Sequence, residues 1–375
     1  MPDRSALFVS YSSTLGGAER ILLDCATALE PMPLLACPPG PLADAAGRAG
    51  VAVLAMRPRS LELRASPRDR LAASARVLDL ALELRRVLRE RRPELVVAWS
   101  MRALLACVPA LAGLGPRPRL VFQHNDFLPG PALGALVRAA ATSADLTICL
   151  SAAIERDLAS GGRRLRTQVV HPGVDLERFA PAPEVAGASG AAAGAGHERA
   201  PAPVLVLGAI EPWKRPDLAL EVAALVPDLR LVVAGEPLGR SGQALLSRLE
   251  RRAQLPDLRG RVDLCGRLAD PLPALREAGA LLHCAEREPF GLALVEALAC
   301  GVPVVAPAAG GPLEIVGAGG RLYPPGDAHA AAAALREVLS PGRRPELAAA
   351  ARARAEAHFD REHARRRWRR ALASA

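Results

Sequence analysis

The chain has 375 residues, enough for two ordinary cores, and half of them are apolar, so burial does not limit folding. Charged residues make up 23% and aromatic residues 3%, which excludes a disordered chain, a collagen-like repeat and an aromatic platform for stacking bases. The net charge of +9 comes from 48 basic against 39 acidic side chains, yet Lys214 is the sole lysine, so the basicity reflects an arginine-rich, GC-biased background more than a nucleic-acid partner.

Short β-type runs alternate with helix-type segments along the whole chain. The first half predicts strands at residues 6–11, 33–37, 51–56, 95–100, 120–124, 146–150 and 168–171, with helical periodicity over 70–92 and 132–142. These runs are apolar without strict alternation, as in strands covered on both faces of a parallel sheet. Residues 181–203, PAPEVAGASGAAAGAGHERAPAP, have the composition of a linker or mobile loop. The alternation then restarts with strands at 204–207, 230–234, 262–265, 280–284, 302–306 and 321–323. The expected organisation is a Rossmann-like domain over 1–180, the linker, a second Rossmann-like domain over 204–360, and a basic helix over 361–375 that crosses back to the first domain. Such an arrangement puts ligands in a cleft between the carboxyl ends of two sheets.

Seven cysteines, an odd number with no CxxC pair, fit buried thiols in a reducing compartment. The first residues lack the apolar core of a signal peptide, and no apolar run reaches the ~18 residues of a membrane span, so a cytoplasmic protein is expected.

Four places could carry chemistry. Residues 288–296, EPFGLALVE, follow a strand and open a helix, so that Phe290, Gly291 and Leu292 lie where free N–H groups favour a phosphate. Glu288 and Glu296, about two turns apart, are suited to accept hydrogen bonds from sugar or ribose hydroxyls. An isolated pair of this kind is more often a helix-start acid and a solvated one. Lys214 lies just past the first strand of the second half, where a cation would neutralise a leaving diphosphate. Gly16 and Gly17 follow the first strand and allow close backbone approach, although Gly-Gly is also a common turn. His124 ends a predicted parallel strand and is placed to face a cleft; a lone histidine is more often structural.

Together these pieces resemble glycosyltransferase family 4, the retaining enzymes with the GT-B fold. The resemblance rests on Gly16-Gly17, His124, HPGVD at 171–175, Gly208 with Lys214, Gly266, Glu288 to Glu296, CGVPVV at 300–305 and Gly310 to Glu314. It implies a nucleotide-sugar-dependent transferase of hexosyl type, with the donor in the second domain and the acceptor in the first. Glu296 would hold the ribose, Lys214 the diphosphate, and Glu288 the sugar hydroxyls. Amides at Phe290, Gly291 and Leu292 would line the sugar and phosphate, and Gly266 with Arg267 would meet the base. Gly17 and His124 would complete the sugar side. The resemblance further implies no bound metal or other cofactor, protein cations replacing it, and front-face attack with retention at the anomeric carbon.

One departure matters. The family places an arginine after the glycine of the 204–208 strand, and this chain has Ala209, so one diphosphate cation is missing unless Arg215 or another arginine reaches in. A nucleotide-sugar epimerase of the same architecture and a weakened nucleotide-sugar-binding protein are the rival readings. The donor base, UDP or GDP, and the acceptor, a glycan, lipid-linked or natural-product molecule, stay open. Residues 57–92 hold eleven arginines against five acids, which fits either a solvated surface or a face resting on an anionic membrane.

Overall fold

In the computed structural model, residues 6–59, 67–162, 164–182 and 202–375 are described, the side chains of 67–73 excepted. Most of the Ala/Gly/Pro-rich linker lies outside them. The contact pattern divides the chain into two units: Met1–Pro172 with Glu362–Ala375, and Gly173–Arg361.

Unit one runs β1 (Ala6–Val9), α1 (Gly17–Thr27), β2 (Leu34–Cys37), α2 (Pro41–Arg48), β3 (Val53–Ala55), α3 (Pro67–Arg91), β4 (Leu95–Trp99), α4 (Met101–Leu111), β5 (Arg119–His124), α5 (Pro131–Ala141), β6 (Leu146–Cys149), α6 (Ala152–Ala159) and β7 (Thr167–Val169). All seven strands are parallel, in the order β3-β2-β1-β4-β5-β6-β7. The central strands β1 and β4 are buried along their whole length, which explains why they read as unbroken apolar runs. Strand order reverses between β1 and β4, so the loops after these two strands diverge and leave a crevice at their carboxyl ends.

Unit two runs β8 (Val204–Leu207), α7 (Pro216–Leu225), β9 (Leu231–Ala234), α8 (Gly239–Ala253), β10 (Val262–Gly266), α9 (Leu272–Glu277), β11 (Ala280–Leu282), α10 (Leu292–Ala299), β12 (Val304–Pro307), α11 (Pro312–Ile315), β13 (Gly320–Tyr323), α12 (Ala328–Leu339) and α13 (Arg344–His358). Its six parallel strands lie in the order β10-β9-β8-β11-β12-β13 and reverse between β8 and β11. Leu218, Val222, Leu231, Leu245, Leu282 and Leu335 belong to its core.

The boundary between the units differs from the expected 180. Residues 173–182 belong to unit two because that unit grips them: Val174 bridges to Asp360, and Arg352 Nη1 donates to the carbonyls of Leu176 (3.2 Å), Phe179 (2.9 Å) and Ala299 (2.7 Å).

The chain then enters α14 (Arg361–Ser374), which packs on unit one. Trp368 lies with ring centroids 5.8 Å from Phe8 and 6.5 Å from Trp99, and its Nε1 donates to Gln123 Oε1 at 3.1 Å. Arg365 pairs with Asp24 at 2.7 Å. Among the described residues, no helix is long and apolar enough to cross a membrane.

Candidate functional site

The reversal in unit two brings the loops after β8 and β11 together. After Leu207 the chain passes Gly208 and Ala209 into a 3-10 turn over Pro212–Lys214, which Arg215 closes in the left-handed region (φ 52°) before α7 begins. After Leu282 it passes His283 and Cys284 and reaches Glu288. Lys214 Nζ lies 2.5 Å from Glu288 Oε2 and 4.1 Å from the centroid of the Trp213 ring. His283 Nε2 lies 3.2 Å from the same carboxylate oxygen. The Tyr323 hydroxyl donates to the His283 carbonyl at 2.8 Å and holds this stretch of backbone.

Glu288 is 7% exposed. Burial alone would raise its pKa, but the Lys214 charge and the neighbouring His283 outweigh it and hold the carboxyl at about 2. Glu288 is therefore an anion at neutral pH, able to accept hydrogen bonds from hydroxyls and unable to serve as a general acid.

The floor beside this pair is bare backbone. Strands β8 and β10 run out at Gly208 and Gly266, and Gly235 follows β9 between them, donating to the Gly266 carbonyl at 2.8 Å. A Cβ at Gly235 would stand 1.8 Å from the Gly208 carbonyl oxygen, so only glycine fits. On the other side Gly291, with φ 113°, caps α10; its carbonyl accepts from the Leu294 N–H at 3.0 Å, so only the amides of Leu292 and Ala293 precede the first intrahelical acceptor. Gly291 touches the same carboxylate arm: its Cβ would meet Glu288 Cγ at 3.5 Å. Leu292 opens the helix, and Glu296, half-buried, lies one turn further on.

The structure thus brings Gly208, Lys214, Glu288 and Gly291 together, with Gly266 and the α10 residues at the margins. Phe290 contributes only backbone, because its side chain is buried edge-on against Phe359 with centroids 6.0 Å apart. Arg215 is engaged with Glu286 at 2.6 Å and Asp217 at 3.2 Å, and Arg267 with Glu236 at 3.2 Å. His283 escaped the sequence reading. Its signal was a histidine directly after a buried strand, in the stretch that ends at Glu288.

Gly16, Gly17 and His124 belong to unit one. Gly16 precedes α1, and its N–H donates to Glu19 Oε2 at 3.0 Å; both glycines are exposed. His124 departs from the expectation of an open strand end. It lies on β5 between β4 and β6, is 0% exposed and packs on Phe122 with centroids 5.0 Å apart. Burial pushes its pKa down to about 3, so the ring is neutral, and neither nitrogen has a hydrogen-bond partner among the described residues. Among those residues no group of three or more His, Cys, Asp or Glu side chains is suited to hold a metal ion.

Comparison with known proteins agrees with this architecture. The family model described as Glycosyltransferase Family 4 matches residues 15–178, and the one described as Glycosyl transferases group 1 matches 195–358. The D-inositol 3-phosphate glycosyltransferase of Mycolicibacterium gilvum is 42% identical over 148 residues, covering 39% of this chain and 32% of that protein. The enzyme of the same name from Mycobacterium tuberculosis strain H37Ra is 40% identical over 153 residues, covering 40% and 31%. The chain spans about a third of the length of the curated relatives it matches. Among solved structures, HepE of Anabaena in complex with UDP and glucose superposes with a TM-score of 0.81 at 23% identity, over 100% of both chains. Sucrose-phosphate synthase of Thermosynechococcus elongatus gives 0.80 at 19%, also over 100% of both. With one family model on each unit and solved folds that match from end to end, the chain belongs to glycosyltransferase family 4 and has the GT-B fold.

Proposed function

We propose that the chain is a retaining, metal-independent glycosyltransferase of hexosyl type, moving a sugar from a UDP- or GDP-linked donor to a glycan, lipid-linked or natural-product acceptor. The observation that carries this reading is the Lys214–Glu288 pair at the switch point of unit two, beside bare glycine backbone and the amino end of α10. A diphosphate laid on that edge meets a cation and free amides, and a hexose beyond it meets a permanent carboxylate. That HepE is seen with UDP-glucose supports a uridine donor.

In the proposed reaction the bond between the anomeric carbon and the β-phosphate oxygen breaks while an acceptor hydroxyl oxygen bonds to the same face. The hydroxyl proton passes to the leaving phosphate oxygen. Lys214 stabilises the charge that develops on the diphosphate, doing the work of a divalent cation. Glu288 orients the hexose through its hydroxyls, Glu296 holds the ribose, and the loop at Gly266 and Arg267 takes the base. Unit one takes the acceptor, with Gly17 completing the sugar side.

The experiment is a transfer assay with UDP-glucose and GDP-mannose in EDTA, with the product anomer read by proton NMR. A retained linkage formed without metal, and lost in Lys214→Ala, supports the reading; an inverted linkage or an absolute metal requirement overturns it. Ala209 favours a second reading, a nucleotide-sugar-binding protein with weakened catalysis. It predicts UDP binding that depends on Lys214, without transfer or hydrolysis.

A further inference from the structure

Trp213 borders the Lys214–Glu288 pair. It is the middle residue of the 3-10 turn Pro212–Lys214, and it is 37% exposed, whereas Trp99 and Trp368 are buried. An indole left at the surface forgoes much of the apolar burial that ordinarily fixes a tryptophan. This one is fixed by polar contacts instead. Its Nε1 donates to Glu211 Oε2 at 2.5 Å, and Lys214 Nζ lies over its ring, 4.1 Å from the centroid. A carboxylate accepting from the indole N–H pushes electron density into the ring and so strengthens the attraction of its face for a cation.

The stem of Lys214 runs beside Gly208, which has no side chain to buttress it: a Cβ there would stand 3.8 Å from both Cδ and Cε of the lysine. The ammonium is then located by what touches its head, Glu288 Oε2 at 2.5 Å and the Trp213 ring. The two contacts differ in kind. The carboxylate accepts an N–H group, of which an ammonium has three. The ring attracts the charge through its quadrupole, without an acceptor lone pair, so N–H groups remain for the oxygens of a ligand. Ala209 stands where the family has an arginine, and Arg215 is turned to Glu286 and Asp217, so a diphosphate at this edge relies on Lys214.

We propose that Trp213 is a positioning residue of the donor site: its indole, oriented by Glu211, holds the Lys214 ammonium where the diphosphate is bound. This rests on the reading that Lys214 meets the diphosphate of the donor. Trp213 acts through the lysine and touches no reacting atom.

The test exploits the sole lysine. The full chain grown with lysine carrying carbon-13 at Cε gives a single labelled side-chain signal. In the wild type the protons of that methylene should resonate upfield of those of an exposed lysine, moved by the indole ring current. The displacement should persist, diminished, in Trp213→Phe and vanish in Trp213→Leu; an unmoved signal in Trp213→Leu overturns the proposal. Affinities are then measured by calorimetry for UDP and GDP, for their nucleosides, and for inorganic pyrophosphate. The nucleoside diphosphate that the wild type binds, and pyrophosphate, should each bind roughly threefold to tenfold more weakly to Trp213→Leu. Trp213→Phe should recover most of that loss, and the nucleoside should bind alike to wild type and both variants. A nucleoside affinity that falls as far as that of the diphosphate means that the indole only supports the loop. Equal diphosphate binding by wild type and Trp213→Leu means that it does not place the ammonium, and either result overturns the positioning role. Should the leucine variant fail to fold, Glu211→Ala, which releases the indole, carries the same measurements. Failure of both nucleoside diphosphates to bind the wild type, with pyrophosphate binding still dependent on Trp213, sinks the transferase reading and spares the positioning role; failure of pyrophosphate as well sinks both.

Discussion

Acid should loosen unit one through His124. This ring is wholly enclosed on β5, neither of its nitrogens has a partner, and burial holds its pKa at about 3, whereas the unfolded chain titrates near 6.5. Between those values the unfolded state binds a proton that the native state refuses, so stability rises with pH across the window and is lost on acidification. From neutral pH to pH 5 the single site should cost about 2 kcal/mol, being about 1.5 pH units at ~1.36 kcal/mol each. Glu288, held at about 2, begins its own loss as pH falls through the usual carboxylate range near 4.5 and contributes little at pH 5. Trp99 and Trp368 are both buried in unit one and report its unfolding by fluorescence, while Trp213 of unit two is partly exposed already. Urea titrations at pH 7 and pH 5 should show the wild type losing about 2 kcal/mol more than His124→Leu. Equal losses in the two proteins would refute a neutral, buried imidazole. At pH 7 the leucine variant should be at least as stable, since it removes two unmet polar atoms. A stable variant that no longer transfers sugar would show that the histidine is kept for function.

Restoring the missing cation with Ala209→Arg should tighten UDP binding about tenfold by calorimetry; unchanged affinity would mean that no cation is lacking there. In a double-mutant cycle on unit two, Lys214→Met and Glu288→Gln should each destabilise, and the double variant should lose less than their sum by roughly 1–3 kcal/mol. Additive losses would contradict a coupled pair. Gly235→Ala should abolish nucleotide binding and lower the Tm, because its Cβ would stand 1.8 Å from the Gly208 oxygen; retained binding would show that the strand ends yield easily. The depressed Glu288 carboxyl adds stability above about pH 4.5 that is lost as pH falls toward 2. His283→Gln should move that acid limb upward in a pH titration of unit two, and an unmoved limb would deny His283 any hold on Glu288.

Elements set by long apolar runs were legible in the sequence, β8 to the residue and most others within two. The edge strand β3 was read as 51–56 and spans only Val53–Ala55, because a strand with one neighbour gains less from extended backbone at its ends. Lys214, Gly208, Glu288 and Gly291 could be singled out because each sits next to a strand end, and parallel topology sends strand ends to one edge. What lies across the sheet is another matter. The hydrogen bond from Arg102 to the Tyr11 hydroxyl joins residues 91 positions apart, and only the β1–β4 pairing brings them together. The burial of His124 depends on what covers β5, which no local pattern records. His283 meets Glu288 because the connection after β11 folds back on itself, a turn set by packing against Tyr323 rather than by composition.

The return of α14 to unit one has a consequence for biosynthesis. Phe8 and Trp99 leave the ribosome early, but the indole that covers them arrives with Trp368, after every residue of unit two. Unit two can close on itself during translation, whereas the other sheet must wait with an aromatic face uncovered. The nascent protein therefore matures out of order, its first-made half finishing last.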